Sequence, residues 1–187
     1  MLIRFMIVIS VFSFLPVLSG CKQQQSQSQW GQGQTGQGNQ VVAPPAVVKS
    51  AEEIKHLETL VRENPKNGNG WIALGNAQMD AQRFADAVIA YQRALELDPR
   101  NVDVRVDMGT CYRGVGQPEK ALEEYRKALK MKPDHLNANR NSGVVLAFDL
   151  NRRAEGVKMF EKYLALAPGA PDAIQIRQEV ENIKNMK

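Results

Sequence analysis

Residues 71–99 read WIALGNAQMDAQRFADAVIAYQRALELDP. Large and small apolar residues return along this stretch at helical spacing, and a proline closes it. Gly75 falls inside the first helical pattern, where a glycine costs about 1 kcal/mol against alanine. That cost is tolerable where the missing side chain lets a second helix come close, and Ala87 plays the same part on the second helical stretch. Pro99 cannot continue the helix before it and sets a turn. The stretch therefore reads as two helices packed on each other, with Tyr91 filling the space between this pair and the next.

Working outward, Pro65, Pro99, Pro133 and Pro168 stand 34, 34 and 35 residues apart, each after an apolar helical stretch. Internal periodicity of this length marks a repeat architecture. Trp71, Leu74, Gly75, Ala87, Tyr91, Ala94 and Pro99 form the first set. Met108, Gly109, Tyr112, Ala121, Tyr125, Ala128 and Pro133 form the second, and Gly143, Leu146, Gly156, Phe160, Tyr163 and Pro168 a looser third.

These sets resemble the tetratricopeptide repeat, whose pattern is W-x2-L-G-x2-Y, then A-x3-F-x2-A, then P. Gln78 stands where an aromatic is usual, Arg105 replaces the Trp of the second repeat, and the third has Ser142 at the Leu position and Tyr163 at the second Ala position. The third repeat also carries one extra residue, expected in the Asp149–Arg153 turn. The resemblance covers about residues 50–187 and implies an all-α fold, a right-handed solenoid of stacked helix-turn-helix repeats.

The ends fit a capped stack. Ser50-Ala-Glu-Glu53 reads as a capping box opening a leading helix over 50–64, with Ile54, Leu57 and Val61 as its stripe. Repeats are expected at about 68–101, 102–135 and 136–170. A capping helix over 171–186 begins near Pro171 and aligns Ala173, Ile176, Val180 and Ile183. Eight helices are expected in all.

The first 21 residues, MLIRFMIVISVFSFLPVLSGC, place Arg4 before an apolar run from Phe5 to Leu18. The run is too short for a comfortable bilayer span and reads as a secretory signal peptide over 1–20. Leu18-Ser19-Gly20-Cys21 resembles the bacterial lipobox, which implies acylation of Cys21 and anchoring to the envelope. Lys22 after the cysteine implies, by the same resemblance, the outer membrane, with the folded part facing the periplasm. Residues 21–49 are rich in Gln, Gly and Ser and end near Pro44-Pro45, a composition expected to remain a disordered tether with a reach of about 30 Å. Trp30 in this segment reads as incidental.

The 187 residues carry 24 basic and 20 acidic side chains, interspersed, for a net charge of +4. No run of like charge provides the footprint of a nucleic-acid binder. Cys21, Cys111, His56 and His135 have no metal-ligand spacing. Cys111 reads as a small buried side chain, and His56 and His135 as surface or boundary residues. Gly68-Asn69-Gly70 and Gly114-Val115-Gly116 read as turns between helices and not as nucleotide loops, because neither follows a strand. No nucleophile with its base stands out, so the reading is a non-enzyme with neither cofactor nor metal.

What remains is binding. The resemblance implies a concave groove lined by the first helix of each pair. Carried over, its positions are Asn69, Ile72, Asn76, Met79 and Asp80; then Asp103, Val106, Asp107, Thr110 and Arg113; then Asn137, Arg140, Asn141, Val144 and Phe148. The amides can donate and accept to a peptide backbone. Arg113 and Arg140 are expected to be available to a carboxylate, and Ile72, Met79 and Phe148 to serve as apolar anchors. Ile72, Asn137 and Asn141 stand where chaperone-binding repeats need Lys and Arg, so that clamp is not expected. The expected function is an adaptor that binds a peptide or protein partner during assembly of an envelope complex. A cytochrome c maturation accessory that binds apocytochrome and a self-assembling structural protein are the alternatives.

Overall fold

The computed structural model describes residues 45–185. The expected signal peptide, Cys21, Trp30 and most of the expected tether lie outside the described residues. Among the described residues eight α-helices run in chain order: α1 Pro45–Glu63, α2 Gly68–Asp80, α3 Phe84–Leu97, α4 Val102–Gly114, α5 Pro118–Met131, α6 Leu136–Val144, α7 Arg153–Leu166 and α8 Ala173–Asn185. A π-helical turn, Val145–Asp149, prolongs α6. Each helix packs on its chain neighbours, and α4 also touches α6. The core is accordingly a spine of four successive apolar clusters, from Ile54 and Val61 at one end to Val180 and Ile183 at the other. Nearest-neighbour packing of this kind defines a solenoid.

The glycine and aromatic positions explain each pair. A Cβ on Gly75 would lie 2.5 Å from Tyr91 Cε1, one on Gly109 2.5 Å from Tyr125 Cε1, and one on Gly143 2.6 Å from Phe160 Cδ1. Each ring therefore lies on the bare backbone of its own first helix, and all three are buried. The hydroxyls find partners on that helix: Tyr91 donates to Asn76 Oδ1 at 2.7 Å, and the Tyr125 hydroxyl lies 3.2 Å from Thr110 Oγ1. Phe160 has no hydroxyl, and Val144 stands in the corresponding register.

The turns repeat as well. Pro65, Pro99, Pro133 and Pro168 each stand two residues beyond the last residue of a helix. Asn67, Asn101 and His135 cap the next helices along the chain, accepting from the N–H groups of Gly70, Val104 and Ala138. In the position taken by Trp71, Arg105 and Asn139, a side-chain N–H donates to the carbonyl of the proline six residues earlier, at 2.9, 3.0 and 3.1 Å. What this register keeps is a donor, and the aromatic ring is optional. Arg105 also pairs with Glu124 at 2.7 Å, both side chains largely buried, with Lys127 on the other oxygen of that carboxylate.

Four expectations are corrected. The leading helix begins at Pro45, so position 50 lies within it rather than at its start, and residues 45–49 leave the expected tether. Proline suits a first helical turn, where its missing N–H has no partner to lose. Gly68-Asn69-Gly70 is the first turn of α2, because Asn67 supplies the cap. His135 is buried, at 7% exposure, since its ring caps α6. Finally, the extra residue of the third repeat is absent from the turn. Three residues separate the two helices of every pair, whereas α6 and its π turn hold nine and five residues against thirteen in α2 and α4. A π turn takes up one added residue by widening the helix locally. It also drives Ala147 towards α7, where a Cβ on Gly156 would lie 2.8 Å from the Ala147 nitrogen. That crowding explains a glycine where the earlier pairs have Ala87 and Ala121.

Candidate functional site

Helices α2, α4 and α6 bring the expected groove positions onto one side of the stack. Asp103 accepts from the His135 ring at 2.8 Å, Asn141 donates to Thr110 at 3.3 Å, and Arg113 reaches Asp149 at the end of the π turn. These bonds join α4 to α6. Towards α2, the Tyr91 hydroxyl donates to Asn76 and lies against Met79 Sδ. Burial first, and then the carboxylates of Asp107 and Asp80 with Cys111, push its pKa far above the ordinary phenol range.

Asn69, Asn76, Asp80, Asp103, Arg113, Asn137 and Phe148 are exposed on this surface. Ile72, Met79, Asp107, Thr110, Arg140, Asn141 and Val144 are half-buried. Phe148 is 49% exposed, and its ring centroid lies 6.3 Å from that of Phe160. Val106 is the exception. It is 2% exposed within the core beneath the groove and offers nothing to a partner.

The arginines differ from expectation in their engagement. Arg113 makes two bonds to Asp149, and Arg140 is paired with Asp172 just before α8. Tyr163 donates to the other oxygen of Asp172, so that carboxyl is held below its ordinary range, first by the Tyr163 hydroxyl and then by Arg140. Both guanidinium groups are thus already paired with carboxylates of the same chain, at its surface. Asp149 and Asp172 were not among the expected positions. They lie 36 and 32 residues from their partners, and no local pattern marks such pairs.

With the arginines neutralised, the remaining charges of the groove are acidic: Asp80, Asp103 and Asp107. Burial, and then repulsion from Asp103, raise the Asp107 pKa, while His135 works the other way. His135 Nδ1 accepts the Ala138 N–H, so Nε2 carries the ring proton towards Asp103. A recess of about 510 Å³ lined by Phe84, Thr110, Arg113, Pro118 and Asp149 ends the groove near the turns. Cys111 lies below the surface, fully buried, its thiol pushed up to about 12 first by burial and then by Asp107. A thiol held in that state is a packing group and not a nucleophile.

The fold is a helical-repeat solenoid with one grooved side. A family model for the tetratricopeptide repeat matches residues 78–140, so the middle of the stack is similar to that repeat in sequence as well as in fold. Among curated proteins, the peroxisomal targeting signal receptor of Komagataella phaffii is 25% identical over 126 residues, 67% of this chain and 22% of that protein. The cytochrome c-type biogenesis protein CycH of Pseudomonas aeruginosa is 30% identical over 130 residues, 66% of this chain and 31% of that protein. The chain thus spans about a fifth to a third of the length of these relatives. Among solved structures, YrrB, described as a TPR protein with an unusual peptide-binding site, is similar with a TM-score of 0.63 and 26% identity over 71% of this chain and 69% of that one. A crystal structure of MamA has a TM-score of 0.66 over 78% of this chain and 88% of that one, and at 16% identity it is a likeness of fold. These solenoids establish the architecture.

Proposed function

We propose that the protein is an adaptor whose concave groove receives a basic segment of a protein partner. In this reading it is lipid-anchored through Cys21 to the outer membrane, faces the periplasm, and serves the assembly of an envelope complex. The carrying observation is the state of the charges. Arg113 and Arg140 are taken by Asp149 and Asp172, which leaves Asp80 and Asp103 exposed and Asp107 half-buried beside them. Carboxylates at the surface steer a cationic partner and set its register more than they add affinity.

The test is affinity capture of the partner from envelope extract, and then titration. The double charge reversal Asp80→Lys with Asp103→Lys should weaken binding by about tenfold or more at low salt, with less effect as salt rises. Both residues are exposed, but Asp103→Lys also takes the acceptor from the His135 ring, so Asp103→Asn, which can still accept from that ring, shows whether the loss comes from charge. Recovery of the same partner at unchanged affinity would remove the groove reading. The anchor is checked separately by incorporation of labelled palmitate, which a Cys21→Ser variant should lose.

A second reading has one observation in its favour, the likeness to CycH over 66% of this chain. A cytochrome c maturation accessory should bind a C-terminal peptide of apocytochrome c in calorimetric titration. A general adaptor should ignore it.

A further inference from the structure

The third repeat departs from the other two in a way the groove does not use. Asn139, Ser142 and Leu146 recur at three and four residues along α6 and its π turn, on the side away from Asn137, Asn141 and Val144. They form the floor of a furrow between α5 and α7, on the face opposite the groove. In the first repeat the corresponding positions carry Trp71 and Leu74, and in the second Arg105 and Met108. Trp71 and Leu74 line two separate recesses of about 380 and 200 Å³, and Arg105 and Met108 line one of about 470 Å³. Beside the shorter Asn139 and Ser142 the furrow opens to about 680 Å³.

Its floor is chemically incomplete. Asn139 and Ser142 are 0% and 1% exposed, yet Asn139 Oδ1 and Ser142 Oγ have no hydrogen-bond partner. The Asn139 amide cannot turn over to relieve this, because its Nδ2 already donates to the carbonyls of Pro133 and His135. An acceptor held this way asks for a donor from outside. The walls are apolar, from Leu122 and Leu129 on one side and Met159 on the other. Along the rim stand Arg126 and Lys130 of α5 with Lys158 and Lys162 of α7, none of them in an ion pair among the described residues. The rim acids are already engaged, Glu123 with Lys127 and Glu155 with Arg152.

We propose that this furrow is a second protein-binding site, one that takes a short acidic peptide segment with an apolar anchor. The anchor lies between Leu122, Leu129 and Met159, and the peptide N–H groups serve the orphaned floor. The carboxylates of the segment meet the four free cations. A peptide fits better than a lipid chain, because hydrocarbon supplies neither donor nor acceptor to Asn139 and Ser142. From Leu122 to Lys130 the wall is about 12 Å long, the length of roughly four extended residues. The site is independent of the groove, whose charge has the opposite sign, so one adaptor would hold two unlike partners on its two faces.

The test is a fluorescence anisotropy titration of the full chain with a labelled aspartate-rich octapeptide containing two leucines. Saturable binding is expected, weakened by about tenfold or more when serines replace the leucines and falling steeply with salt. The double variant Asn139→Trp with Ser142→Leu copies the first repeat into the furrow and should abolish binding while circular dichroism stays helical. Should that variant fail to fold, Lys158→Glu with Lys162→Glu, both at exposed positions, provides the same readout. The groove variant Asp80→Lys should bind the octapeptide as before. No saturable binding at millimolar peptide, or binding indifferent to the furrow variants, overturns the proposal. So does a labelled fatty acid that occupies the furrow in place of the peptide.

Discussion

At the scale of the residue, the informative side chains are those whose chemistry is altered by their neighbours. Asp107 is half-buried and faces Asp103, so its carboxyl takes up a proton at higher pH than in the unfolded chain. Between the ordinary aspartate range and that raised value the folded state holds the extra proton. Asp107 therefore favours folding at low pH and loses that contribution as pH rises through the window. The Asp107→Asn variant has no such loss. Its melting temperature minus that of the native protein should increase from acid to neutral pH, and a difference independent of pH would contradict the assignment. Residue by residue, the sequence showed the aromatic, glycine and proline positions well, because steric need limits them to few residue types. It did not show Arg113–Asp149 or Arg140–Asp172, since an ion pair needs only some acid near some base. Val106 was placed on the groove by register, but in α4 that register belongs to the core.

At the scale of the element, the unit is a helix pair closed by an aromatic ring on a glycine. In α4 and α5 the contact is tight: a Cβ on Gly109 would meet Tyr125 Cε1 at 2.5 Å and the Ala121 carbonyl at 3.2 Å. Gly109→Ala gains about 1 kcal/mol of helix propensity but overpacks the contact by about 1–3 kcal/mol. Net destabilisation is expected in urea unfolding. Gly68→Ala is the control, since its Cβ would have 3.7 Å to Leu97 and should be neutral or mildly stabilising. Helix number and order were legible because the 34-residue interval repeats the same steric solution. The site of the added residue was not. Turn and helix can both absorb one residue, and the choice of a π turn depends on how Ala147 and Gly156 pack, which no periodicity records. The start of α1 at Pro45 was hidden for a related reason: a proline can open a helix or end one, and the residues on its C-terminal side decide between the two.

At the scale of the whole molecule, stability passes from neighbour to neighbour, and among the described residues the final helix in chain order is α8. It buries Ala173, Ile176, Val180 and Ile183 against α7, while Asp172 ties its start to Arg140 and Tyr163. Three large side chains at about 2 kcal/mol each make the helix worth at most about 6 kcal/mol. A chain ended after Ala170 should lose hydrogen-exchange protection in α6 and α7 far more than in α2 and α3. Its exposed end should also associate with concentration in sedimentation, whereas uniform loss of protection along the stack would speak against a nearest-neighbour solenoid. The contacts from Trp71, Arg105 and Asn139 to the preceding proline carbonyls have a broader meaning. Because any donor of suitable reach secures the joint, that position is free to change its outward character while the stack stays intact. Successive repeats thereby present an aromatic plate, a submerged ion pair and a recessed amide from identical scaffolding, and a modular backbone acquires individuality one rung at a time.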